Sequence, residues 1–259
     1  MDLNLRDKVF IVSGGAKGIG EAISRSLATE GGIPVILDRS KDAGQKLAND
    51  LKAKGQKAHV ITYELTEVEN CKLAVEETLK VLGKIDGVVN NAGVNDGVGL
   101  EAGPEGFKAS IHLNLLHYYN LVHFALPELK RNKGSIINIS SKTAITGQGG
   151  TSGYAASKGA QLALTREWAV ELAPFNVRVN AIVPAEVMTP QYQKWINSFD
   201  DSERSLSEII KRIPLGKRMT TSEEIADMAV FLLSSKSSHT TGQWVVVDGG
   251  YVHMDRAIS

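Results

Sequence analysis

Short apolar runs rich in β-branched residues recur along the chain, at 9–12, 34–37, 58–61, 87–89, 135–139, 177–180 and 244–247. They are continuous rather than alternating, the pattern of strands buried on both faces. Between them lie longer segments with helical spacing. In 18–30 the apolar residues Ile19, Ala22, Ile23 and Leu27 fall on one face. Similar faces run through 42–53, 68–82, 107–126, 154–172 and 222–233. Strands alternating with helices predict βαβ units: an α/β fold with a doubly wound parallel sheet covered by helices on both sides. No linker, fixed-period repeat or low-complexity tract interrupts the pattern, so one domain over 1–259 is expected. The stretch 184–218 differs. It is polar, carries Pro190 and Pro214, and reads as a lid or binding insertion at about 185–218.

Composition removes several functions. With 29 basic and 29 acidic residues the net charge is zero, which argues against a nucleic-acid footprint. Cys71 is the lone cysteine, so no intrachain disulfide framework exists. No apolar run approaches the roughly 18 residues of a membrane helix. The first residues, Met1 to Lys8, lack the apolar centre of a signal peptide. A cytoplasmic chain is the expectation. His112, His117 and His123 are spaced five and six apart, which does not suit ligands at i, i+4, so no metal site is expected.

After the first run comes Ser13-Gly14-Gly15-Ala16-Lys17-Gly18-Ile19-Gly20, opening directly into a helical segment. Glycines here allow a tight turn, close backbone approach to a pyrophosphate, and close helix–strand packing. The helix N-terminus then presents free N–H groups to the phosphates. Asp38 ends the second run, 18 positions after Gly20. A carboxylate there accepts hydrogen bonds from ribose hydroxyls and repels a 2′-phosphate, favouring NAD over NADP. Lys17 and Arg39 are cations that could instead grip a 2′-phosphate.

Further along stand Asn90-Asn91-Ala92-Gly93, then Ser140-Ser141, then Tyr154-Ala155-Ala156-Ser157-Lys158. Tyr154 and Lys158 are four apart and share a helix face. A cation beside a phenol stabilises phenolate and is expected to lower its pKa from about 10. A tyrosine so tuned can serve as a general acid or base.

In these motifs the chain resembles the short-chain dehydrogenase/reductase family, from Val9 to about Tyr251. The resemblance implies a Rossmann-like domain with a seven-stranded parallel sheet, usually a homotetramer, acting on a small molecule rather than on nucleic acid or membrane. It implies a catalytic tetrad at Asn114, Ser141, Tyr154 and Lys158. Tyrosine would exchange the substrate proton, lysine would hold the nicotinamide ribose, serine would orient the reacting oxygen and asparagine would support a relaying water. Cofactor contacts are implied at Gly14, Lys17, Gly18, Ile19, Gly20, Asp38, Arg39, Glu64, Leu65, Asn91, Ala92, Gly93, Tyr154, Lys158, Pro184, Val187 and Thr189. Two places depart from the family pattern. Glu64-Leu65 stands for Asp-Val, and Pro184-Ala185 for Pro-Gly. Alanine tolerates positive φ less well than glycine, which puts the backbone beside the nicotinamide in question.

Substrate choice lies with the loops. Asn95, Asp96, Gln148, Glu186, Gln191 and Gln193 are polar, and Trp195 offers a ring that could stack on a sugar. All of these but Gln193 form, with Ser141 and Tyr154, the candidate substrate set. The runs 91–97, 140–149 and 183–190, including Pro-Ala-Glu, are similar to a bacterial subgroup of L-fucose dehydrogenases. That similarity implies oxidation of an L-fucose-like aldose at C1 to a 1,5-lactone. The alternatives are a 3-oxoacyl thioester reductase, a polyol or sugar-acid dehydrogenase, and a nucleotide-binding paralogue without turnover. The tail from Tyr251 to Ser259 resembles family tails that pack on a neighbouring subunit.

Overall fold

The computed structural model describes residues 2–253. Seven parallel strands form one sheet in the order β3-β2-β1-β4-β5-β6-β7. They are β1 Val9–Ser13, β2 Ile33–Leu37, β3 His59–Ile61, β4 Gly87–Asn90, β5 Ser135–Ile139, β6 Arg178–Pro184 and β7 Trp244–Val247. Every apolar run of the sequence becomes a strand, and β6 extends four residues beyond its run.

Alternation of side chains along the strands divides the interior in two. Val9 and Ile11 of β1 join a core with Val88 and Ile136; Phe10 and Val12 join the opposite core with Val89 and Ile137. The first core is covered by α3 (Val68–Leu82), α5 (His117–Asn132) and α6 (Ser152–Leu172). The second is covered by α1 (Gly18–Thr29) and α9 (Ser222–Leu233). Helix α2 (Lys41–Ala53) closes a smaller cluster through Leu47 and Leu51 against Ile36. A capping box starts α9: the Glu224 N–H donates to Thr221 Oγ1, and the Thr221 N–H donates to Glu224 Oε2.

The helix expected over 107–126 is two helices, α4 (Gly103–Ile111) and α5, joined by a π-turn at His112–Leu116. Apolar periodicity does not register the one extra residue of a π-turn, so the sequence reads as continuous. The polar stretch after β6 is helical as well, with α7 (Pro190–Ile196) and α8 (Ser202–Lys211). Thr189 Oγ1 accepts from the Tyr192 N–H and Asp201 Oδ1 from the Arg204 N–H, so both short helices are capped. Among the described residues no helix is long and apolar enough to cross a membrane. Residues 254–259 of the expected intersubunit tail lie outside the described residues. The start of that tail is a turn in which the Asp248 carboxylate accepts from the Gly250 and Val252 N–H groups.

Candidate active site

From β1 the chain moves outward to β2 and β3, then returns to β4 on the other side of β1. The C-terminal ends of β1 and β4 therefore border a crevice at a topological switch point, where open α/β sheets bind ligands. Both candidate cofactor motifs leave the sheet there. Gly14 and Gly18 have φ of +62° and +56°, conformations that favour glycine. A Cβ on Gly14 would lie 3.0 Å from the Ala92 Cα, and one on Gly20 would collide with the Gly14 carbonyl oxygen. Helix α1 begins behind Lys17 with no side chain capping its N-terminus. Its first N–H groups are thus free for an anion.

Asp38 sits at the end of β2 beside this loop. Its Oδ2 accepts from the Ala16 N–H at 3.2 Å and its Oδ1 from the Ser40 N–H at 2.9 Å. Each carboxylate oxygen keeps acceptor capacity for a ribose hydroxyl. Lys17 is exposed. Arg39 pairs with Glu64 at 3.5 Å, both near the surface. A glycine cradle, an uncapped helix start and a fixed carboxylate fit the nicotinamide dinucleotide, NAD or NADP, of such folds. Leu65 is buried in the first core and Ile19 packs against the second, so their side chains serve packing.

Ser13, which the sequence reading passed over, joins the two motifs. Its Oγ accepts from the Asn91 N–H at 2.9 Å and the Ala92 N–H at 3.1 Å. Asn91 Nδ2 donates back to the carbonyls of Ser13 and Gly14. Gly93 then passes so near the next layer that a Cβ would meet Asn114 Oδ1 at 3.2 Å and Lys158 Nζ at 3.5 Å.

Asn114 lies in the π-turn, fully buried. Its Oδ1 accepts from the Val94 N–H at 2.8 Å, and its carbonyl accepts from Gln161 Nε2 at 2.9 Å. Tyr154 and Lys158 lie on α6, with Lys158 Nζ 5.5 Å from the Tyr154 ring centroid. Lys158 Nζ donates to the Ile139 carbonyl at 2.7 Å and to Tyr118 Oη at 3.1 Å. Ser141 follows β5, caps a short turn through its Oγ, and acts on the Tyr154 hydroxyl. The four tetrad candidates thus converge at the ends of β4 and β5.

Their charge states differ from the expectation. Burial pushes the Tyr154 phenol up to about 12, with Asp96 adding to the rise and Ser141 opposing it. Burial also pulls Lys158 down to about 7. Desolvation disfavours the charged form of both groups and outweighs the attraction read from their spacing.

The pair Pro184-Ala185 raises no backbone conflict, because Ala185 is not among the residues with positive φ. Val187 is buried in the second core and bridges to Thr220. Thr189 caps α7, and a Cβ on Gly18 would touch its side chain at 3.3 Å. The lid therefore rests on the glycine loop.

The substrate candidates separate. Asp96 accepts from Ser110 Oγ at 3.0 Å and its charge acts on Tyr154. Glu186 is buried and paired with Lys142, the residue after Ser141. Asn95 turns back on the Gly97 N–H, while Gln148, Gln191 and Gln193 are exposed. Trp195 packs edge-on between Tyr192 and Phe199, with nearly half its surface open. Sequence reasoning missed Lys142. Its one signal was position, directly after the candidate serine.

The model of a family described as "Enoyl-(Acyl carrier protein) reductase" matches residues 14–252. The 3-oxoacyl-(acyl-carrier-protein) reductase FabG of Thermotoga maritima is 35% identical, covering 96% of this chain and 100% of that protein. The L-fucose dehydrogenase of Mus musculus is 36% identical, covering 94% of this chain and 88% of that protein. The crystal structure of Cj0485 dehydrogenase superimposes with a TM-score of 0.94 at 48% identity, covering 100% of this chain and 99% of that one. With a doubly wound seven-stranded sheet and relatives matched over almost its whole length, this chain belongs to the short-chain dehydrogenase/reductase family and is an oxidoreductase.

Proposed function

We propose that the chain is an NAD-dependent dehydrogenase that oxidises the anomeric hydroxyl of a neutral pyranose of the L-fucose type to its 1,5-lactone. The observation that carries this reading is the charged, polar surround of Tyr154, with Ser141 and Asp96 both acting on it and the buried Lys142–Glu186 pair beginning one residue from Ser141. The similarity to an L-fucose dehydrogenase supports it. The similarity to a 3-oxoacyl reductase favours a second reading. Against that reading, Asp38 disfavours a 2′-phosphate, and an apolar acyl chain would offer nothing to the donors and acceptors that the Lys142–Glu186 pair keeps beyond its mutual bond.

Bound NAD supplies a positively charged ring that accepts the hydride. Gly14, Gly18 and Gly20 would let backbone approach its pyrophosphate, and Asp38 would accept from its adenosine ribose. Ser141 Oγ hydrogen-bonds the sugar C1 oxygen and orients it. Tyr154 Oη takes the hydroxyl proton as the C1 hydrogen leaves with its electron pair, and the C1–O bond becomes a carbonyl. Lys158, held by Ile139 O and Tyr118 Oη, lies under the Tyr154 ring and favours the phenolate when protonated. Asn114 fixes the turn that carries Val94 and backs Lys158.

The test is NADH formation from NAD and L-fucose at mildly alkaline pH, beside D-arabinose, L-galactose and D-glucose. Tyr154→Phe should lose roughly 10²- to 10⁴-fold in kcat. No turnover with any aldose would sink the sugar reading.

A further inference from the structure

Four segments converge beside Ser141. Lys142 continues the chain from Ser141, and Glu186 follows the end of β6, whose Ile182 is in register with Ile139 of β5. Tyr192 comes from the lid helix α7 and Tyr251 from the turn after β7. Lys142 Nζ bonds Glu186 Oε1, and the two side chains are only 13% and 8% exposed. The same ammonium lies 4.5 Å from the Tyr251 ring centroid. Tyr192 Oη is buried and faces Glu186 without reaching hydrogen-bond geometry.

A buried ion pair is a poor stabiliser, because desolvation offsets its attraction. Stability therefore gives little reason for this one. Its chemistry does. An ammonium has three donors and a carboxylate about four acceptor sites, and their mutual bond uses one of each. The remainder offers a donor and an acceptor side by side. We propose that Lys142 and Glu186 are the specificity-determining pair of the substrate pocket, reading two adjacent hydroxyls of a neutral substrate. One hydroxyl donates to the Glu186 carboxylate and its neighbour accepts from the Lys142 ammonium, while Tyr192 Oη closes the site from the lid. The pair is already charge-neutral, so it gives a carboxylated sugar no counter-ion, and an apolar chain would leave its remaining donors and acceptors unsatisfied. The inference deepens the sugar reading and rests on it only for the identity of the diol.

The decisive variant is the double K142M/E186Q, which strands no buried charge. Each single variant strands one and should lose more than the double. The measurement compares binding of cis-1,2-cyclohexanediol and of cyclohexanol to the enzyme–NADH complex by fluorescence. The NADH dissociation constant serves as the folding control. The wild type should prefer the diol by roughly ten- to a hundredfold, and the double variant should bring that preference to within about twofold. A wild type without the preference, including one that binds neither compound, overturns the proposal, as does a preference that survives in the double variant. Diol preference without L-fucose turnover sinks only the sugar reading. L-fucose turnover with a diol preference that survives in the double variant sinks only this one.

Discussion

Burial sets the charge states around the reacting oxygen. Tyr154 stands at about 12 and Lys158 at about 7, so at neutral pH the phenol is protonated and the lysine is near its midpoint. Oxidation needs the phenolate, so kcat should climb with pH on the acid side of the Tyr154 transition. Asp96 contributes a negative charge that disfavours phenolate. Asp96→Asn should therefore move the rising limb of the kcat profile to lower pH, by up to roughly one unit. A pH–rate series at saturating substrate checks this; an unmoved or alkaline-shifted limb would show that Asp96 does not act on the base. Ala185 makes a separate point at this scale. The doubt raised by alanine at a family glycine position was one of positive φ, and here φ is not positive.

Elements meet through few atoms. Ser13 Oγ is the shared acceptor for two N–H groups of the β4 turn, and it donates to the Val89 carbonyl at 3.3 Å. Ser13→Ala strands both donors. It should cost roughly 1–3 kcal/mol in urea unfolding, and should weaken NADH binding in a fluorescence titration because the turn is no longer tied to the glycine loop. The π-turn works on the same scale. Inserting one residue into the α4–α5 helix turns Asn114 towards Val94, and Gln161 from α6 takes up its carbonyl. Gln161, Thr165 and Asn138 then continue the buried hydrogen bonding to Asn90 on β4.

Across the whole molecule, several large apolar side chains stand open on α5, α6 and their flanks. Val170 on α6 is 77% exposed and Tyr119 on α5 is 54% exposed, with Leu116 and Phe175 also open. The Tyr119 and Trp168 rings lie 6.5 Å apart where α5 meets α6, while Val170 opens on another side of α6 beside Leu162, Ala163 and Trp244. Open apolar side chains of this kind suit a subunit contact. We expect a homotetramer of the 27.9 kDa chain in light scattering after gel filtration. Val170→Asp should shift the mass downward, and an unshifted mass would remove the Val170 side of α6 from the interface.

The order of the strands and the helices between them outside the lid and the α4–α5 break, the glycine loop and the tetrad candidates were legible in the amino-acid sequence, because each rests on local physics. Strands buried on both faces demand continuous apolar runs, helices demand a periodic face, and a phosphate-binding turn demands glycine at named positions. The π-turn was not legible, since its single extra residue leaves the apolar period almost unchanged. Nor were Ser13, Gln161 or Lys142. Their types are common, and their partners lie 78, 47 and 44 positions away in the chain. The same holds for the charge states of Tyr154 and Lys158. Spacing placed them on one face, but desolvation depends on every element packed around them, and only the tertiary structure decides that.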